Sequence, residues 1–386
     1  MRLKSNFLSI IIAFVFIQNF LFLSAQSPVE FSGYLSEMPS YSWQKESGIT
    51  LFDNLVHNRI NLAYSPNDKL RMKMEFRNRI FWGETVSSTP LYKHIIGNDP
   101  GWMDLSFNWG SGKSYLVNTT IDRLSLEYVA GNFQVQVGRQ RVNWSQTMVW
   151  NPNDIFNSYS YFDFDYVERP GMDGVRLQYF TGLSSQFETV LKVDVDNRLS
   201  TAALYRFNTK GYDIQLIAGQ VNQEDYILGG GWSGNISGAG FYGEVSYLSS
   251  VSNKNDNILI TSVGGNYTFK NSLMLTGEYL YSSNLKDYEG GFAALIYGQA
   301  SIKTLSITEH SYMLSGAYPV SPLLSLSVAY MGFGFPVFNS FYVGPIIDYS
   351  ISDNLYISGI FQIFSGEIDQ QKELSALSFV RLKWSF

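Results

Sequence analysis

The C-terminal segment, residues 375–386, constrains the fold of this chain most strongly. Its apolar and polar residues occupy opposite parities, with Val380, Leu382, Trp384 and Phe386 against Arg381, Lys383 and Ser385. Successive strand residues point to opposite faces, so the segment predicts a strand with one apolar and one charged face. Such a strand, ending the chain on an aromatic residue, is typical of an outer-membrane β-barrel, whose outer face contacts lipid and whose inner face lines a lumen.

Residues 1–25 predict a secretory signal peptide. Arg2 and Lys4 precede an apolar stretch over 7–23, and small residues follow before Gln26. This arrangement matches the basic, apolar and cleavage regions of such a peptide. An uncleaved membrane anchor is the alternative, although the apolar stretch is short for a membrane-spanning helix. Residues 26–386 then form one predicted domain, an outer-membrane barrel in the bacterial cell outer membrane.

Composition supports a barrel and excludes several other classes. The chain has 28 Phe, 26 Tyr and 33 Gly but only 16% charged residues, and its net charge is −6. No second apolar run reaches the length of a membrane helix, so any spanning must use strands. The absence of Cys excludes disulfides, thiolate catalysis and Cys-ligated metals. The weakly acidic balance argues against nucleic-acid binding.

Strict alternation recurs from end to end of the chain, as in half-buried strands. In residues 70–80, one parity is apolar and the other charged: Met72, Met74 and Phe76 against Arg71, Lys73, Glu75, Arg77 and Arg79. The same pattern returns around 175–179, 241–247 and 324–330. In a soluble sandwich the apolar face would form the core, whereas in a membrane barrel it faces lipid.

Turn spacing favours the membrane barrel. Short turn sequences such as Ser65–Asp68 and Lys270–Ser272 alternate with long loops, which we place near 36–50, 84–117, 142–172 and 284–310. Counting back from Phe386 puts every short turn at one end and every long loop at the other, as in outer-membrane barrels. We predict an all-β, single antiparallel up-and-down barrel of about 18 strands, with about 16 as the alternative and both termini periplasmic.

Basic residues are concentrated in the first half of the mature chain. Residues 26–206 contain 17 Lys and Arg, 11 of them Arg, whereas residues 207–386 contain 8. Most lie on the polar parity of predicted strands and form an expected lumen wall: Arg59, Arg71, Lys73, Arg77, Arg79, Arg123, Arg176, Lys192 and Arg206. The wall could attract anionic solutes, since a charged lining tunes selectivity. It could equally be an ion-pair lattice with Glu75, Asp122, Glu127, Glu188 and Asp194 that fills the barrel.

Residues 138–154 carry the one local signature. Gly138-Arg139-Gln140 followed by Asn143-Trp144-Ser145, and then Trp150-Asn151-Pro152-Asn153-Asp154, resemble the GRQ…W-G and WNP-x-D stretches of porin-like outer-membrane families, including the alginate-export type. The likeness covers about forty residues, and Ser145 stands where Gly is usual. It implies a passive or substrate-selective barrel without identifying the solute.

The segment 142–172 is long, aromatic and acidic, and we expect it to fold into the barrel mouth or lumen. Arg139 and Arg141 share the parity of the lipid-facing Val135 and Val137, so Gly138 should form a bulge or the strand should have left the membrane. The expected constriction residues are Arg139, Arg141, Trp144, Trp150, Asp154, Asp163, Asp165, Glu168 and Arg169. A constriction and a plug remain alternatives, and Asp163, Asp165 and Asp173 offer hard-cation oxygens.

The sequence gives little support to an enzymatic function. His57, His94 and His310 lie in no nucleophile motif, although a serine hydrolase needs a His beside its Ser. Trp102, Trp109 and Trp150 could form a sugar platform.

The leading hypothesis is a channel for small polar, anionic or carbohydrate-like solutes, without a cofactor. The alternative is a closed accessory barrel of an outer-membrane complex. Lipid is the expected surrounding, and protein partners or a homo-oligomer are left open. If first and last strands pair, Arg381 and Lys383 should neighbour Glu30.

Overall fold

The computed structural model describes residues 28–159, 161–162, 167–253, 256–285, 301–334, 340–368 and 371–386. The predicted signal peptide, 1–25, lies outside these residues. Nineteen strands form one antiparallel sheet that closes on itself. Eighteen of them build the barrel wall, and the short strand Ser106–Ser111 is an addition beside β5. The prediction of an 18-strand barrel is confirmed.

The strands are numbered in chain order. Their bounds are β1 Val29–Gln44, β2 Thr50–Asn67, β3 Leu70–Gly83, β4 Ser106–Ser111, β5 Tyr115–Ala130, β6 Phe133–Gln140, β7 Met172–Phe180, β8 Gln186–Val193, β9 Leu199–Thr209, β10 Tyr212–Val221, β11 Asp225–Ile236, β12 Ala239–Ser250, β13 Ile258–Thr268, β14 Met274–Ser282, β15 His310–Pro319, β16 Leu324–Phe333, β17 Ser340–Ser352, β18 Leu355–Ile368 and β19 Gln371–Ser385. Two short helices, Glu84–Ser88 and Tyr92–Gly97, precede β4. Among the described residues, no helix is long and apolar enough to cross a bilayer.

The predicted short turns all lie at the end of the barrel that carries both chain termini, because every strand pairs antiparallel with its chain neighbours. The expected long loop at 36–50 is wrong. β1 continues to Gln44, and β2 begins at Thr50 after a tight turn. Alternation persists through this stretch, with Ser36 and Met38 buried and Glu37 exposed. Pro39 lies within the strand, although proline is usually a strand breaker.

Barrel closure joins β1 to β19, as expected, but in a different register. Lys383 lies opposite Ser36, and its Nζ sits 3.9 Å from the centre of the Tyr34 ring. Glu30 instead accepts a 2.7 Å hydrogen bond from Arg71, so the predicted contact of Glu30 with Arg381 and Lys383 is wrong. The reason is the register: β1 begins beyond the last residue of β19, so Glu30 has only β2 beside it.

The terminal Phe386 completes the closure. Its backbone exchanges two 2.9 Å hydrogen bonds with Gly33. Its ring stacks on Phe31 with centroids 5.6 Å apart and contacts Trp384 at 5.3 Å. A Cβ at Gly33 would lie 2.8 Å from that ring, so glycine leaves room for it.

Replacing Phe386 with Ala should weaken closure by about 1 kcal/mol, since an aromatic pair contributes about that much beyond its buried area. The measurement is the thermal or urea unfolding midpoint in detergent. Phe361→Ala, a lipid-exposed ring on β18, is the matched control. An equal loss in both variants would contradict a specific closing role for Phe386.

Candidate functional site

The loop of residues 141–171 connects β6 and β7, and its described residues between 141 and 162 lie inside the barrel. Val142, Trp144, Trp150 and Phe156 are each at most 4% exposed. The Trp144 indole Nε1 donates a 2.7 Å hydrogen bond to Glu188 on the inner face of β8. A buried loop must satisfy its backbone polar groups without water. The wall supplies those partners.

Two glutamates of the wall accept hydrogen bonds from six backbone amides of the loop. Glu244 on β12 accepts hydrogen bonds from the backbone N–H groups of Gln146, Thr147 and Asn153, the last two at 2.9 and 2.8 Å. Glu278 on β14 accepts from Met148, Val149 and Trp150, at 3.0, 3.2 and 2.7 Å. Hydrogen bonds to a carboxylate are roughly twice as strong as neutral ones. These two residues therefore fix the loop on the β12–β14 wall.

Apolar contacts extend this attachment across the lumen. Trp144 meets Phe156 edge-to-face at 5.0 Å, and Phe162 meets Phe364 of β18 at 5.4 Å. The wall contributes inward-facing apolar side chains from β8 to β18, including Val190, Leu204, Ile217, Ile227, Leu248, Ile260, Leu280, Met313 and Met331. The scarcity of charge in the second half of the sequence follows, because that half carries the apolar surface on which the loop packs.

Most of the predicted basic wall lies on the opposite side, on β2–β7, and several of its members are ion-paired. Lys192 and Arg206 lie on β8 and β9. Arg59 is fully buried and contacts Asp122 at 2.6 Å, Glu75, and Glu168 of the loop at 3.8 Å. Arg77 also contacts Asp122, at 3.5 Å. At these positions the structure matches the ion-pair lattice, the second of the two alternatives given for the wall. The same holds for Arg176, which pairs with Glu188 at 2.8 Å, and for Arg71 with Glu30.

Other members of the wall bind neutral groups. Arg123 donates to the carbonyls of Asp122, Glu168 and Arg169. Arg79 donates to Asn118 at 2.8 Å, Arg206 to Gln215 at 3.2 Å, and Lys192 to the carbonyl of Phe156 at 3.0 Å. Lys73 shares the inward parity of β3 with Arg77 and Arg79. The first-half wall is thus a mixture of neutralised pairs and cations bonded to neutral oxygens.

Gly138 and Arg139 show why the GRQ sequence occurs here. Gly138 has φ +108°, and a Cβ there would lie 2.2 Å from the carbonyl oxygen of Leu124, so glycine is required. Arg139 is buried and paired in register with Asp173, 2.7 Å away. The segment around Asp99 covers it and adds a 2.6 Å ion pair. Its charge is therefore shielded from lipid by paired carboxylates.

Asp154 differs from the wall carboxylates described above because it is buried without a hydrogen-bond partner among the described residues. It is 1% exposed, and neither oxygen has a hydrogen bond of good geometry among the described residues. Burial raises the pKa of Asp154 to about 7, against the opposing charges of Arg141 and Lys192. Arg141 and Arg169 lie near the ring of Tyr159, at 5.9 and 3.7 Å from its centroid. This cluster lies within the loop and beside Lys192 of β8.

The remaining predicted site residues do not come together in one site. Asp163 and Asp165 lie outside the described residues. Asp173 is occupied by Arg139 and by the backbone N–H of Met103, which accounts for both of its oxygens. Trp150 is buried in the lumen, so it cannot share a sugar-stacking surface with Trp102 and Trp109, which are 60% and 74% exposed.

The three histidines lie apart. His57 faces inward beside Tyr34, with ring centroids 5.2 Å apart. His94 is in the second short helix. His310 on β15 bonds the hydroxyl of Tyr279 at 2.7 Å.

Sequence reasoning did not assign Glu244 and Glu278 to the site. A signal was present, since each is a lone carboxylate on the inward parity of a strand otherwise rich in Gly, Ser, Thr and apolar residues. A lone charge in an apolar lining needs a partner. Here the partner is the backbone of the loop rather than another side chain.

No family model matches the chain, and no curated protein matches it. Several solved structures do match the chain. Acinetobacter baumannii OccAB3 aligns with a TM-score of 0.59 at 11% identity, covering 92% of this chain and 99% of that one. Pseudomonas aeruginosa OccK8 (OprE) gives 0.59 at 8%, covering 93% and 98%, and P. aeruginosa OccK7 (OpdD) gives 0.58 at 10%, covering 93% and 99%.

These neighbours are outer-membrane porins. The chain has their barrel fold. The finer resemblance of residues 138–154 to the alginate-export type stays a prediction.

Replacing both Glu244 and Glu278 with Gln should release residues 146–153 from the wall. Each amide oxygen is a weaker acceptor than a carboxylate, and the added NH₂ groups face backbone donors, so the loss should be about 1.5–3 kcal/mol per charged hydrogen bond removed. Hydrogen exchange of the 146–153 amides measures it. Glu127→Gln, a wall carboxylate with no loop bond among the described residues, is the control. Unchanged protection in the double variant would contradict the assignment.

Asp154 should make stability depend on pH. Its pKa in the folded protein lies above the ordinary value of about 4. The folded state therefore binds more protons between about pH 4 and 7, and stability falls as pH rises through that window. Asp154→Asn should flatten this slope in thermal unfolding measured at about pH 5 and 8. A slope that survives in the variant would assign it to other groups.

Proposed function

We propose that this protein is an outer-membrane channel for small polar solutes, anionic or carbohydrate-like. The observation that supports this most strongly is the division of the lumen. The loop 141–171 is bonded to Glu244 and Glu278 and packs on the apolar β8–β18 side. The β2–β7 side carries most of the Arg and Lys residues, and Lys192 and Arg206 follow on β8 and β9. A solute that crosses the barrel would pass between the polar face of the loop and this wall.

The chemistry of that wall suits anionic or hydroxyl-rich solutes. Arg presents a planar fork of donors that matches carboxylate or phosphate oxygens. Lys73 and Arg206 have no carboxylate partner in the described part of the chain, and Arg206 donates to the amide oxygen of Gln215, whereas Arg59 is enclosed by three carboxylates. We therefore assign selectivity to the former group and a structural role to Arg59. Arg141 and Arg169 of the loop would complete the constriction opposite them.

The outward face supports the membrane location. Leu324, Leu326, Val328 and Tyr330 lie outward on β16, and Phe361 and Ile363 are exposed on β18. Aromatic and apolar side chains in this arrangement face acyl chains in outer-membrane barrels. The proposal also includes a periplasmic position for both termini and export through the signal peptide 1–25. Lipid and small solutes are the partners it requires, and no cofactor is involved.

A closed accessory barrel is the second candidate. The aromatic contacts of Phe162 with Tyr342 and Phe364 carry the loop across to β17 and β18. Such continuous packing is what a plug would need. In this case the protein would act through partners bound at its loops or outer face. Stoichiometric co-purifying proteins without conductance would favour this candidate.

Planar-bilayer conductance tests the channel. The wild type should conduct with a preference for anions, and Lys73→Gln with Arg206→Gln should reduce the anion-to-cation permeability ratio by up to roughly fivefold, because a lumen charge contributes about 1 kcal/mol at close range in water. Lys45→Gln, on the exposed β1–β2 turn, is the control.

Releasing the loop provides the second arm of the test. Glu244→Gln with Glu278→Gln should increase single-channel conductance. If neither the wild type nor this variant conducts, the channel proposal fails and the accessory barrel stands.

A further inference from the structure

The short strand β4 occupies the place in the sheet that β6 leaves empty. On one side β5 pairs with β3, and on the other side its residues Leu124–Ala130 pair with β6. Beyond that point β6 ends, and the chain enters the lumen. Residues 116–120 of β5 pair instead with β4, which runs antiparallel to β5 as β6 does. β4 therefore continues the line of β6 with residues from a different loop.

The pairing with β5 places β4 at the depth of the membrane. Phe107 of β4 lies opposite Thr119, which lies on β5 between the exposed rings of Tyr115 and Tyr128. Exposed aromatic residues mark the two interfaces of a barrel's apolar band. Phe107 is therefore level with the hydrocarbon, in the half nearer the long loops. With the termini periplasmic, as proposed above, this half is the outer leaflet.

The two faces of β4 resemble those of a wall strand. On the outward face, Phe107 and Trp109 are exposed, with ring centroids 6.5 Å apart. On the inward face, the buried Asn118 amide of β5 donates to Ser106 at 3.1 Å and to Asn108 at 3.0 Å. Since successive residues of a strand point to opposite faces, β4 separates a polar lumen surface from lipid.

The residues before β4 extend this patch of wall across the ends of the neighbouring strands. The Pro100 carbonyl accepts a 3.2 Å hydrogen bond from the backbone just beyond β8. The Met103 N–H donates a 2.8 Å hydrogen bond to Asp173 of β7. The Leu105 carbonyl accepts a 2.9 Å hydrogen bond from the backbone of β5. Residues 99–105 thus cross from β8 to β5 over the point where the chain leaves β6.

Arg139, near the end of β6, joins this segment to the wall. Its Nε and Nη2 donate to Asp173 at 2.7 and 2.8 Å. Its Nη1 donates to Asp99 at 2.6 Å and to the Ile121 carbonyl at 3.3 Å, and its Nη2 also donates to the Met103 carbonyl at 2.6 Å. These five hydrogen bonds match the five donors of a guanidinium group. Arg139 therefore connects β5, β7 and the crossing segment through one side chain.

We propose that residues 99–111, the seal segment, close a lateral opening between the lumen and the outer leaflet, and that Arg139 is the positioning residue that holds them in place. Without the seal segment, residues 116–120 of β5 would present unpaired backbone groups to lipid, which is costly. Five residue pairs, interrupted by an irregularity, join β4 to β5. Detachment would admit an amphiphilic molecule from the outer leaflet to the apolar β8–β18 side of the lumen.

A buried thiol reports on the opening, because the chain has no Cys. Met172→Cys on β7 places the thiol at a 1% exposed position beside Asp173, and Met331→Cys on β16, also 1% exposed, is the matched control. In phosphatidylcholine liposomes, a lipid-soluble pyrene maleimide should label both thiols slowly. Adding Arg139→Gln should accelerate labelling of Met172→Cys by about tenfold or more, since hydrogen bonds to two carboxylates are lost. Labelling of Met331→Cys, and labelling of either thiol by a water-soluble sulfonated maleimide, should not change.

Asp99→Asn tests the same joint from the side of the seal segment and leaves the β6–β7 wall intact. It should also accelerate lipid-phase labelling of Met172→Cys, by a smaller factor, because Arg139 keeps its bonds to Asp173. This variant decides the matter if Arg139→Gln does not fold.

Three results would overturn the proposal. Unchanged labelling of Met172→Cys in the folded variants would show that the strand ladder closes the wall without Arg139. Equal acceleration at Met172→Cys and Met331→Cys would indicate general loosening of the barrel. Acceleration with the water-soluble reagent alone would place the route along the barrel axis. Each result can be obtained with a conducting or a non-conducting barrel, so this test is separate from that of the channel.

Discussion

The lumen of this protein depends on the hydrogen bonds that Glu244 and Glu278 accept from the loop backbone. A loop buried away from water must satisfy its N–H groups, and two carboxylates on the wall do this for six residues between Gln146 and Asn153. Their removal would leave those donors buried without partners, and Trp144, Trp150 and Phe156 without a fixed position. The shape of any passage through the barrel follows from this attachment.

The two halves of the chain have divided roles because of that loop. Strands β8–β18 contribute apolar inward residues such as Leu204, Ile217 and Leu280, which pack against it. Strands β2–β7 contribute cations and carboxylates, of which the Arg59–Asp122 pair is fully enclosed. A barrel with a polar lining all round could not hold an aromatic loop, and an apolar lining all round would not admit a polar solute. The asymmetry of charge along the sequence reflects this division.

The outer surface shows a similar division. Most of the wall presents apolar residues to lipid, as β16 illustrates with Leu324, Leu326 and Val328. The outward face of β2 and β3 instead includes Asn58 and Asn78, which are hydrogen-bonded to each other. Since the strands alternate strictly, the residues that line the lumen and the residues that face lipid occupy alternate positions of the same sequence.

The sequence by itself determined the barrel class, the strand number and the end at which the short turns lie. These depend on local alternation and turn residues, which each strand carries independently of its neighbours. It also predicted an inward-folded segment at 142–172 and an arginine-rich wall opposite it. It could not determine register, because a shift of β1 against β19 by an even number of residues preserves alternation. The expected contact of Glu30 with Lys383 was therefore wrong. Which cations are enclosed, as Arg59 is, and which carboxylates hold the loop, as Glu244 and Glu278 do, depended on contacts between strands far apart in sequence. Only the closed tertiary structure brings those residues within hydrogen-bonding distance.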